Sequence, residues 1–240
     1  METRAKPTFN VRPAVTTIEV DGVVYNAQPV GPVNWHQARD GDYTEGFKQG
    51  VMSEQLNLVH SSYINKNSDD NIAKKHAKSI VGIARNHLVT GNTAVYGGNT
   101  GCEWVFAQDF PEVKEGRIVM NQDILEARLS TKGMRKINDN LHISADGQVR
   151  AMKRAGFRNG DYTVEQMTAS NQPILMTGDE QSPSKMVDMM KLAEKLGYLS
   201  IPSQGNIRVP DLDEGDDWLG LDGVNWDVFD DDRYSFGVRQ

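Results

Sequence analysis

The chain has a single cysteine and no long apolar run. Cys102 stands alone among 240 residues, which excludes an intramolecular disulfide and any zinc or iron–sulfur site built from several cysteines. The longest apolar run is Ile80-Val81-Gly82-Ile83-Ala84, whereas a membrane helix needs about 20 residues. Residues 1–7 carry charges with no apolar segment behind them. We therefore expect no secretory signal, no membrane insertion, and a cytoplasmic or virion location.

Lysine and arginine are missing from one acidic stretch near the C-terminus. Ten acidic residues and no basic residue lie between Asp211 and Asp232, although the whole chain carries a net charge of only −7. The same stretch contains Trp218, Trp226 and Phe229. A solvating acidic tail would lack large aromatic residues. The composition therefore predicts a folded acidic and aromatic module.

Basic residues are concentrated in a second segment, between residues 132 and 158. They are Lys132, Arg135, Lys136, Arg150, Lys153, Arg154 and Arg158. Such a cluster could follow a phosphate backbone, because each contact releases condensed counterions. A solvated face, or an internal complement to the acidic stretch, is the alternative. The sequence pI of 5.3 is not that of a dedicated nucleic-acid binder.

The hydropathy pattern predicts an α+β fold in three segments. Residues 1–50 are expected to form an extended arm with one β-hairpin, because Asp21-Gly22 separates two short runs of β-forming residues. Residues 51–204 are expected to form a mixed α/β core. Within it, Asn121, Thr163 and Ser182 are candidate helix N-caps.

The third segment, residues 205–240, is predicted to be an acidic aromatic β module. Asp222-Gly223 lies between apolar runs, which indicates a second hairpin. Tyr234, Phe236 and Val238 alternate with other residues, as in a strand with one buried face. We therefore expect an antiparallel β meander at the C-terminus.

A thiol site and a calcium loop are alternatives for chemistry. Cys102 follows Gly97-Gly98, and a glycine-rich loop could direct N–H groups toward an oxyanion. The candidate bases are His60, His76 and His87. A lone cysteine is more commonly a small buried apolar residue, so no catalytic residue is assigned.

The calcium alternative rests on the spacing Asp211-x-Asp213-x-Gly215-x-Asp217. The spacing is that of a calcium loop, but glycine is missing at the sixth position, and Asp222 stands where the twelfth position requires Glu. Asp230, Asp231 and Asp232 could add oxygen ligands. Turn-forming aspartates are the alternative, so no metal or other cofactor is assigned.

The C-terminal sequence carries a family resemblance. Asp232-Arg233-Tyr234-Ser235-Phe236-Gly237-Val238-Arg239 resembles the closing strand of C-type-lectin-like domains of the formylglycine-generating type, which often end in Gly-Phe-Arg or Phe-Gly-Val-Arg. The preceding segment, rich in Trp, Asp, Asn and Gly, is similar to the ligand-display region of such modules, including variable receptor-binding proteins of phages. The Gly-Gly-Ser-Trp box usually found upstream is absent. The region 110–183 resembles uncharacterised microbial and viral proteins, which implies no mechanism.

These observations predict a non-enzymatic structural or interaction protein, such as a component of a virus or phage particle or of its assembly. It would contact other protein chains, as a homo- or hetero-oligomer, through its arm and its C-terminal module. The predicted contact residues are Asp216, Asp217, Trp218, Asn225, Trp226, Asp227, Asp230, Asp231, Asp232 and Tyr234. The alternatives are a nucleic-acid-associated protein that uses the basic segment and a thiol enzyme centred on Cys102.

Overall fold

The computed structural model describes residues 9–11, 17–33, 35–41, 43–85, 88–90, 92–224 and 233–239. The first half of the described chain contains β1 (Phe9–Val11), β2 (Thr17–Val20), β3 (Val23–Asn26), β4 (Val30–Val33), α1 (Trp35–Asp40), β5 (Phe47–Gln49), α2 (Met52–Asn65), α3 (Asn71–Ala84), β6 (Leu88–Val89), β7 (Thr93–Tyr96), β8 (Trp104–Asp109), β9 (Glu112–Lys114) and β10 (Arg117–Val119). The second half contains α4 (Gln122–Leu129), β11 (Arg135–Asn138), β12 (Leu141–Ile143), β13 (Val149–Lys153), a 3₁₀ helix (Arg154–Gly156), β14 (Gly160–Tyr162), α5 (Val164–Ala169), α6 (Gln172–Thr177), α7 (Ser182–Ala193), β15 (Leu196–Leu199), β16 (Ile207–Glu214), β17 (Trp218–Val224), β18 (Arg233–Ser235) and β19 (Gly237–Arg239).

A large mixed sheet, the main sheet, organises the molecule. Its strands run in the order β11-β12-β13-β8-β7-β16-β17-β15-β14; β6 also pairs with β16, β18 pairs with β6, and β4 pairs with β18. The pairs are antiparallel except β15–β17 and β6–β18, which are parallel. Helices and a mostly antiparallel sheet together confirm the predicted α+β class.

The two faces of the main sheet carry different side chains, because alternate residues of a strand point to opposite faces. The inner face is apolar: Val105, Leu212 and Leu221 are fully buried in the main core, together with residues of α2, α3, α6 and α7. On the outer face, Phe106, Ala151 and neighbouring residues form a second, smaller core under α4 and the β9–β10 hairpin. Beyond this small core, the outer face of the sheet extends to β11 at one end and to β14 at the other.

A second sheet, the terminal sheet, joins both ends of the chain. Its order is β1-β2-β3-β19-β5, so the C-terminal strand β19 lies between β3 and β5. Ile18, Tyr25 and Val238 of this sheet are buried in the same core as residues of α2. The division into three segments stays a prediction, and strand pairing links the first segment to the last.

Local signals located several elements correctly. Asp21 and Gly22 adopt positive φ angles of 50° and 82° in the turn between β2 and β3, as the predicted hairpin requires. The Asn121 side chain accepts a hydrogen bond from the Ile124 N–H at 3.2 Å. Thr163 forms the predicted capping box with Gln166.

The start and end of α7 differ from the prediction. Gln181 is the N-cap, and Ser182 is the first helical residue. The helix ends at Ala193 because Glu194 adopts a left-handed conformation, with φ at 59°. Gly197, although glycine is a common residue after the end of a helix, lies in β15.

The predicted C-terminal hairpin and meander are corrected by the strand register. Asp222 and Gly223 lie inside β17, paired with Asp211 and Pro210 of β16, so the turn of this hairpin lies at residues 215–217. β18 and β19 pair with β4, β6, β3 and β5 instead of with β17. An Asp-Gly pair in a strand has the same sequence as one in a turn, and pairing over long sequence separations is not a local property. The apolar run that follows Gly223 in the predicted hairpin falls largely outside the described residues.

None of the described helices combines the length and the apolar character that crossing a membrane requires.

Candidate functional site

The outer face of the main sheet carries acidic and aromatic side chains along β14, β15, β17 and β16. We name Asp161, Tyr198, Asp213, Trp218 and Asp222 the acidic aromatic face. Asp161 pairs with Tyr198, Tyr198 with Gly220, and Gly220 with Asp213, so these residues form one row across four strands. Asp161 is exposed, and the other four members are half-buried. The row therefore forms an accessible surface.

Two aspartates stand directly opposite each other in the β16–β17 hairpin. Asp211 pairs with Asp222, and Asp213 lies on the same face, two residues further along β16. Burial and the charges of Asp211 and Asp213 raise the pKa of Asp222. Like charges directly opposite each other destabilise a sheet, so local strand pairing does not account for this arrangement.

The three aspartates of this hairpin have different partners. The Arg233 guanidinium lies 3.4 Å from Asp211, and both side chains are buried. Asp222 accepts hydrogen bonds from the Ser200 hydroxyl and from the Gly223 N–H. The Asp213 carboxylate accepts one from the Glu214 N–H at 2.6 Å. Asp211 is thus paired with a cation inside the protein, whereas Asp213 and Asp222 are half-buried on the outer face.

Trp218 leans over the middle of the acidic aromatic face. Its ring centroid lies 5.4 Å from that of Tyr198, at an angle of 46°. A Cβ atom on Gly220 would lie 2.6 Å from the Trp218 ring, which is closer than real side chains approach. Glycine at 220 therefore lets the indole lie across the sheet.

A buried carboxylate anchors the base of the same hairpin. Glu214, the last residue of β16, accepts hydrogen bonds from the Tyr63 hydroxyl and from Lys195, the latter at 2.8 Å, and pairs with Arg85 at 3.2 Å. Lys66 lies 4.7 Å from the Tyr63 ring centroid. Lys66, Arg85 and Lys195 follow the C-terminal ends of α2, α3 and α7, where cations complement the helix dipoles.

This cluster shifts the pKa of both acidic partners. Burial acts to raise the pKa of Glu214, but hydrogen bonds from Lys195, Tyr63 and Arg85 outweigh it and lower the pKa below its ordinary value. Burial and the hydrogen bond to Glu214 raise the pKa of the Tyr63 hydroxyl. Glu214 is therefore ionised and Tyr63 neutral near neutral pH. The cluster holds the hairpin on the helices and so positions the acidic aromatic face.

The predicted contact residues separate into three groups. Asp216 and Asp217 are exposed in the turn beside Trp218, so these three lie together. Tyr234 is half-buried and packs against the main core, with β6 and β16 between its strand and that of Trp218. Asn225, Trp226, Asp227, Asp230, Asp231 and Asp232 lie outside the described residues.

The acidic spacing does not form a calcium loop. Asp211 and Asp213 lie in the extended strand β16, whereas a calcium loop must wrap its oxygen atoms around the ion. Among the described residues, no group of three or more His, Cys, Asp or Glu side chains is placed to hold a metal ion. Asp230, Asp231 and Asp232 lie outside that set.

The predicted basic cluster does not form one surface. Arg150 is fully buried and makes a bidentate pair with Asp109 at 2.6 and 2.9 Å, so it cannot contact nucleic acid. Arg135 pairs with Glu180, Arg154 donates to the Gly97 carbonyl, and Arg158 lies over the Tyr162 ring. Lys132 is exposed in the loop before β11. Strand alternation sends Arg150 to the inner face and leaves Lys136 and Lys153 on the outer one.

The two candidate bases that the structure describes, His60 and His76, lie on helices, whereas Cys102 packs against the smaller core of the outer face. Cys102 Sγ accepts a hydrogen bond from the Trp104 N–H at 3.4 Å, and its main chain bonds to Asn99 and Gln204. His60 lies 3.2 Å from Asp188 at the α2–α7 contact, and His76 is on α3. Both helices cover the inner face of the sheet. His87 lies outside the described residues.

Sequence reasoning missed several members of the acidic aromatic face. Asp161 and Tyr198 carry no motif, and they reach Trp218 only through the pairs β14–β15 and β15–β17. Alternation along β16 could have placed Asp211 and Asp213 on one face once its strand was recognised. The Glu214 cluster could be predicted only in part. A basic residue follows the end of α2, α3 and α7 in the sequence, but the carboxylate comes from β16, which is distant in sequence.

Comparisons with known proteins identify the fold. No family model matches the sequence, and no curated protein does. A solved structure described as "Accommodation of massive sequence variation in Nanoarchaeota by the C-type lectin fold" is similar over 88% of this chain and 96% of its own, with a TM-score of 0.51 and 13% sequence identity. The formylglycine-generating type stays a prediction. The chain has a C-type-lectin-like fold.

Proposed function

We propose that the protein is a non-enzymatic binding protein that contacts a positively charged partner protein through the acidic aromatic face. The C-type-lectin-like fold and the C-terminal resemblance to ligand-display modules support a binding role. The exposed turn residues Asp216 and Asp217 would extend the same surface. The residues Asn225, Trp226, Asp227, Asp230, Asp231 and Asp232, which follow β17 in sequence, are proposed to contribute further contacts.

One observation carries this proposal: Asp222 stands opposite Asp211 and beside Asp213, next to the Tyr198–Trp218 pair. Several carboxylates on one accessible face attract a cationic partner and orient it. A half-buried tryptophan supplies the contact area that interface hot spots use. Carboxylates beside the Trp218 indole therefore favour a partner segment that combines lysine or arginine with apolar residues.

The wider role is also proposed. We propose that the protein belongs to a virus or phage particle or to its assembly machinery, since the C-terminal segment is similar to variable receptor-binding proteins of phages. In that role it would associate with copies of itself or with other chains. Light scattering after size exclusion measures this: a mass above that of one chain, 26.7 kDa, is expected for a self-assembling component.

Binding to a labelled basic peptide tests the proposed surface. We expect a peptide of lysine and tyrosine residues to bind, and a matched glutamate and tyrosine peptide not to bind, as measured by fluorescence anisotropy. Trp218→Ala should weaken binding about tenfold, which corresponds to the loss of a hot-spot residue. Asp213→Asn and Asp222→Asn should each weaken it about two- to fivefold, as expected for half-exposed charges.

The matched control is Asp69→Asn, which removes an exposed carboxylate from the loop before α3. It should leave binding unchanged. The proposal is wrong if the glutamate peptide binds equally well, or if Asp69→Asn reduces binding as much as Asp213→Asn does.

A further inference from the structure

A groove lies on the outer face of the main sheet, at the opposite end from the acidic aromatic face. Its volume is about 360 Å³. Trp104, Phe106, Leu129, Met134, Lys136 and His142 line it.

The groove of about 360 Å³ has an apolar floor and a polar rim. Lys136 pairs with His142, His142 with Ala151, and Ala151 with Phe106, so these side chains form one row across four strands. Ala151 is the small member of this row, and its short side chain leaves a depression between His142 and Phe106. Leu129 of α4 closes one side of the depression. The shape therefore follows from a small residue placed between larger ones.

Trp104 forms an aromatic wall of the groove. Its ring lies 4.9 Å from the His142 ring, at an angle of 41°, and the Lys153 ammonium lies 5.8 Å from its centroid. Trp104 is half-buried and therefore keeps part of its indole surface accessible. An indole beside a cation offers a flat ring both a stacking surface and a nearby charge.

The positive charges of the rim converge on one side. Burial, together with the charges of Lys136 and Lys153, lowers the pKa of His142, and Asp139 opposes this effect. Lys136 stands opposite His142 in the β11–β12 pair, and Lys153 lies beside Trp104, which contacts the His142 ring. On the α4 side, the Glu126 carboxylate accepts a hydrogen bond from Gln122 at 2.8 Å. The groove thus has a cationic side, an aromatic wall and an acceptor on the helix.

We propose that this groove binds a nucleotide, whose base stacks on Trp104 and whose phosphate is held by Lys136 and Lys153. Charge complementarity favours an anionic group near the two lysines. The accessible part of the half-buried Trp104 indole favours a planar aromatic ring, and Glu126 can accept hydrogen bonds from exocyclic amino groups of a base. A free nucleotide and a single-stranded nucleic acid share this chemistry.

Calorimetric titration of the full chain tests the proposal, with adenosine 5′-monophosphate and a single-stranded oligodeoxyadenylate as probes. Lys136→Gln and Lys153→Gln should each weaken binding about tenfold, because each removes a charge-assisted hydrogen bond. Trp104→Leu should weaken it at least about fivefold through lost stacking. The controls are Lys78→Gln, an exposed lysine on α3, and Trp218→Leu on the acidic aromatic face. Both should leave binding unchanged.

The two probes distinguish the source of the ligand. Binding of the monophosphate alone indicates a free nucleotide, whereas tighter binding of the oligonucleotide, with a steep salt dependence, indicates single-stranded nucleic acid. The proposal is overturned if neither probe binds at millimolar concentration, or if the lysine variants bind as well as Lys78→Gln does. It is also overturned if glucuronate, an anionic sugar without a base, displaces the monophosphate at equal concentration. The lysine variants keep the test valid should Trp104→Leu misfold.

Discussion

At the scale of single residues, buried charges of this protein are placed for structure, and they are paired. Arg150 holds Asp109 and also donates to the Leu175 carbonyl at 2.7 Å, which joins β13 to α6. Glu214 joins β16 to the ends of α2, α3 and α7. A buried ion needs such partners because burial alone disfavours its charged form.

Glu214→Gln should lower the free energy of unfolding by about 2 kcal/mol at pH 7, the scale of hydrogen bonds to a charged group. The variant keeps the shape of the side chain but leaves Lys195, which is mostly buried, without its counter-ion. Urea unfolding followed by circular dichroism measures the change. An unchanged midpoint would show that the cluster does not support the hairpin.

The same residue gives a pH dependence. The pKa of Glu214 is lowered in the folded protein, so its stabilising contribution is complete above the unfolded-state pKa and is lost as the pH falls through the folded-state value. The difference in stability between the wild type and Glu214→Gln should therefore shrink as the solution is acidified below the ordinary pKa of glutamate.

At the scale of elements, the β16–β17 hairpin places Asp211 and Asp222 opposite each other, although like charges in these positions do not stabilise the pairing of the two strands. The hairpin is held by six aligned residue pairs, from Val209–Val224 to Glu214–Leu219. Leu212 and Leu221 of these strands are fully buried on the inner face. This packing is what keeps Asp211 and Asp222 opposite each other.

Asp222→Asn should stabilise the isolated protein and weaken its binding to the basic peptide. Its pKa is raised in the folded state, so the ionised carboxylate opposes folding near neutral pH, and the gain should be about 0.5 kcal/mol, the scale of a cross-strand like-charge pair. Because the folded state takes up its proton at the higher pH, the advantage of the variant should shrink as the pH falls below the folded-state pKa and vanish below the unfolded-state pKa. Thermal unfolding measured against pH checks this.

A loss of stability in Asp222→Asn at pH 7 would contradict the prediction and would mean that the carboxylate is needed for its bonds to Ser200 and Gly223. Asp69→Asn again serves as the control, because its carboxylate lies away from the hairpin. Higher stability combined with weaker peptide binding would mark Asp222 as a residue retained for binding.

At the scale of the whole molecule, the ends of the chain hold each other. β19 pairs with β3 on one side and with β5 on the other, and Phe236 and Val238 are buried in the main core. The Gln55 side chain donates to the Phe236 carbonyl at 2.8 Å and accepts from the Phe236 N–H at 3.2 Å. The C-terminal strand is thus part of the core that α2 forms.

Removal of residues 233–240 should therefore destabilise the entire protein. The deletion takes a strand from the middle of the terminal sheet and exposes apolar residues of α2. We expect a fall in Tm of more than about 10 °C, since several kcal/mol of packing are lost and about 1 kcal/mol shifts Tm by roughly 2–4 °C in a domain of this size. Thermal circular dichroism measures it.

The control for this deletion is Arg239→Gln, which changes an exposed residue of the same strand and should leave Tm nearly unchanged. A truncated chain that unfolds at the wild-type temperature would show that the C-terminal strand is only an appendage.

The outer face of the main sheet also has two ends of opposite charge. Lys136 and Lys153 lie at one end, and Asp213 and Asp222 lie at the other, with the apolar cover formed by α4 and β9–β10 between them. The two proposed sites are therefore separate, and each can be tested by variants that leave the other intact.

The sequence alone determined the features that depend on neighbouring residues. The β2–β3 turn, the caps at Asn121 and Thr163, the α+β class and the acidic aromatic character of the C-terminal region all follow from short-range chemistry, because a turn or a cap is formed by residues a few positions apart. Composition alone was enough to exclude a disulfide.

Only the tertiary structure decided which residues share a surface. Strand register placed Asp222 opposite Asp211 instead of in a turn, and alternation along β13 sent Arg150 into the core while Lys153 stayed outside. β19 reached β3 across almost the whole chain. Such pairing is determined by the burial of apolar faces over long sequence separations, so residues that are adjacent in sequence can point to opposite sides of a sheet, and distant ones can meet.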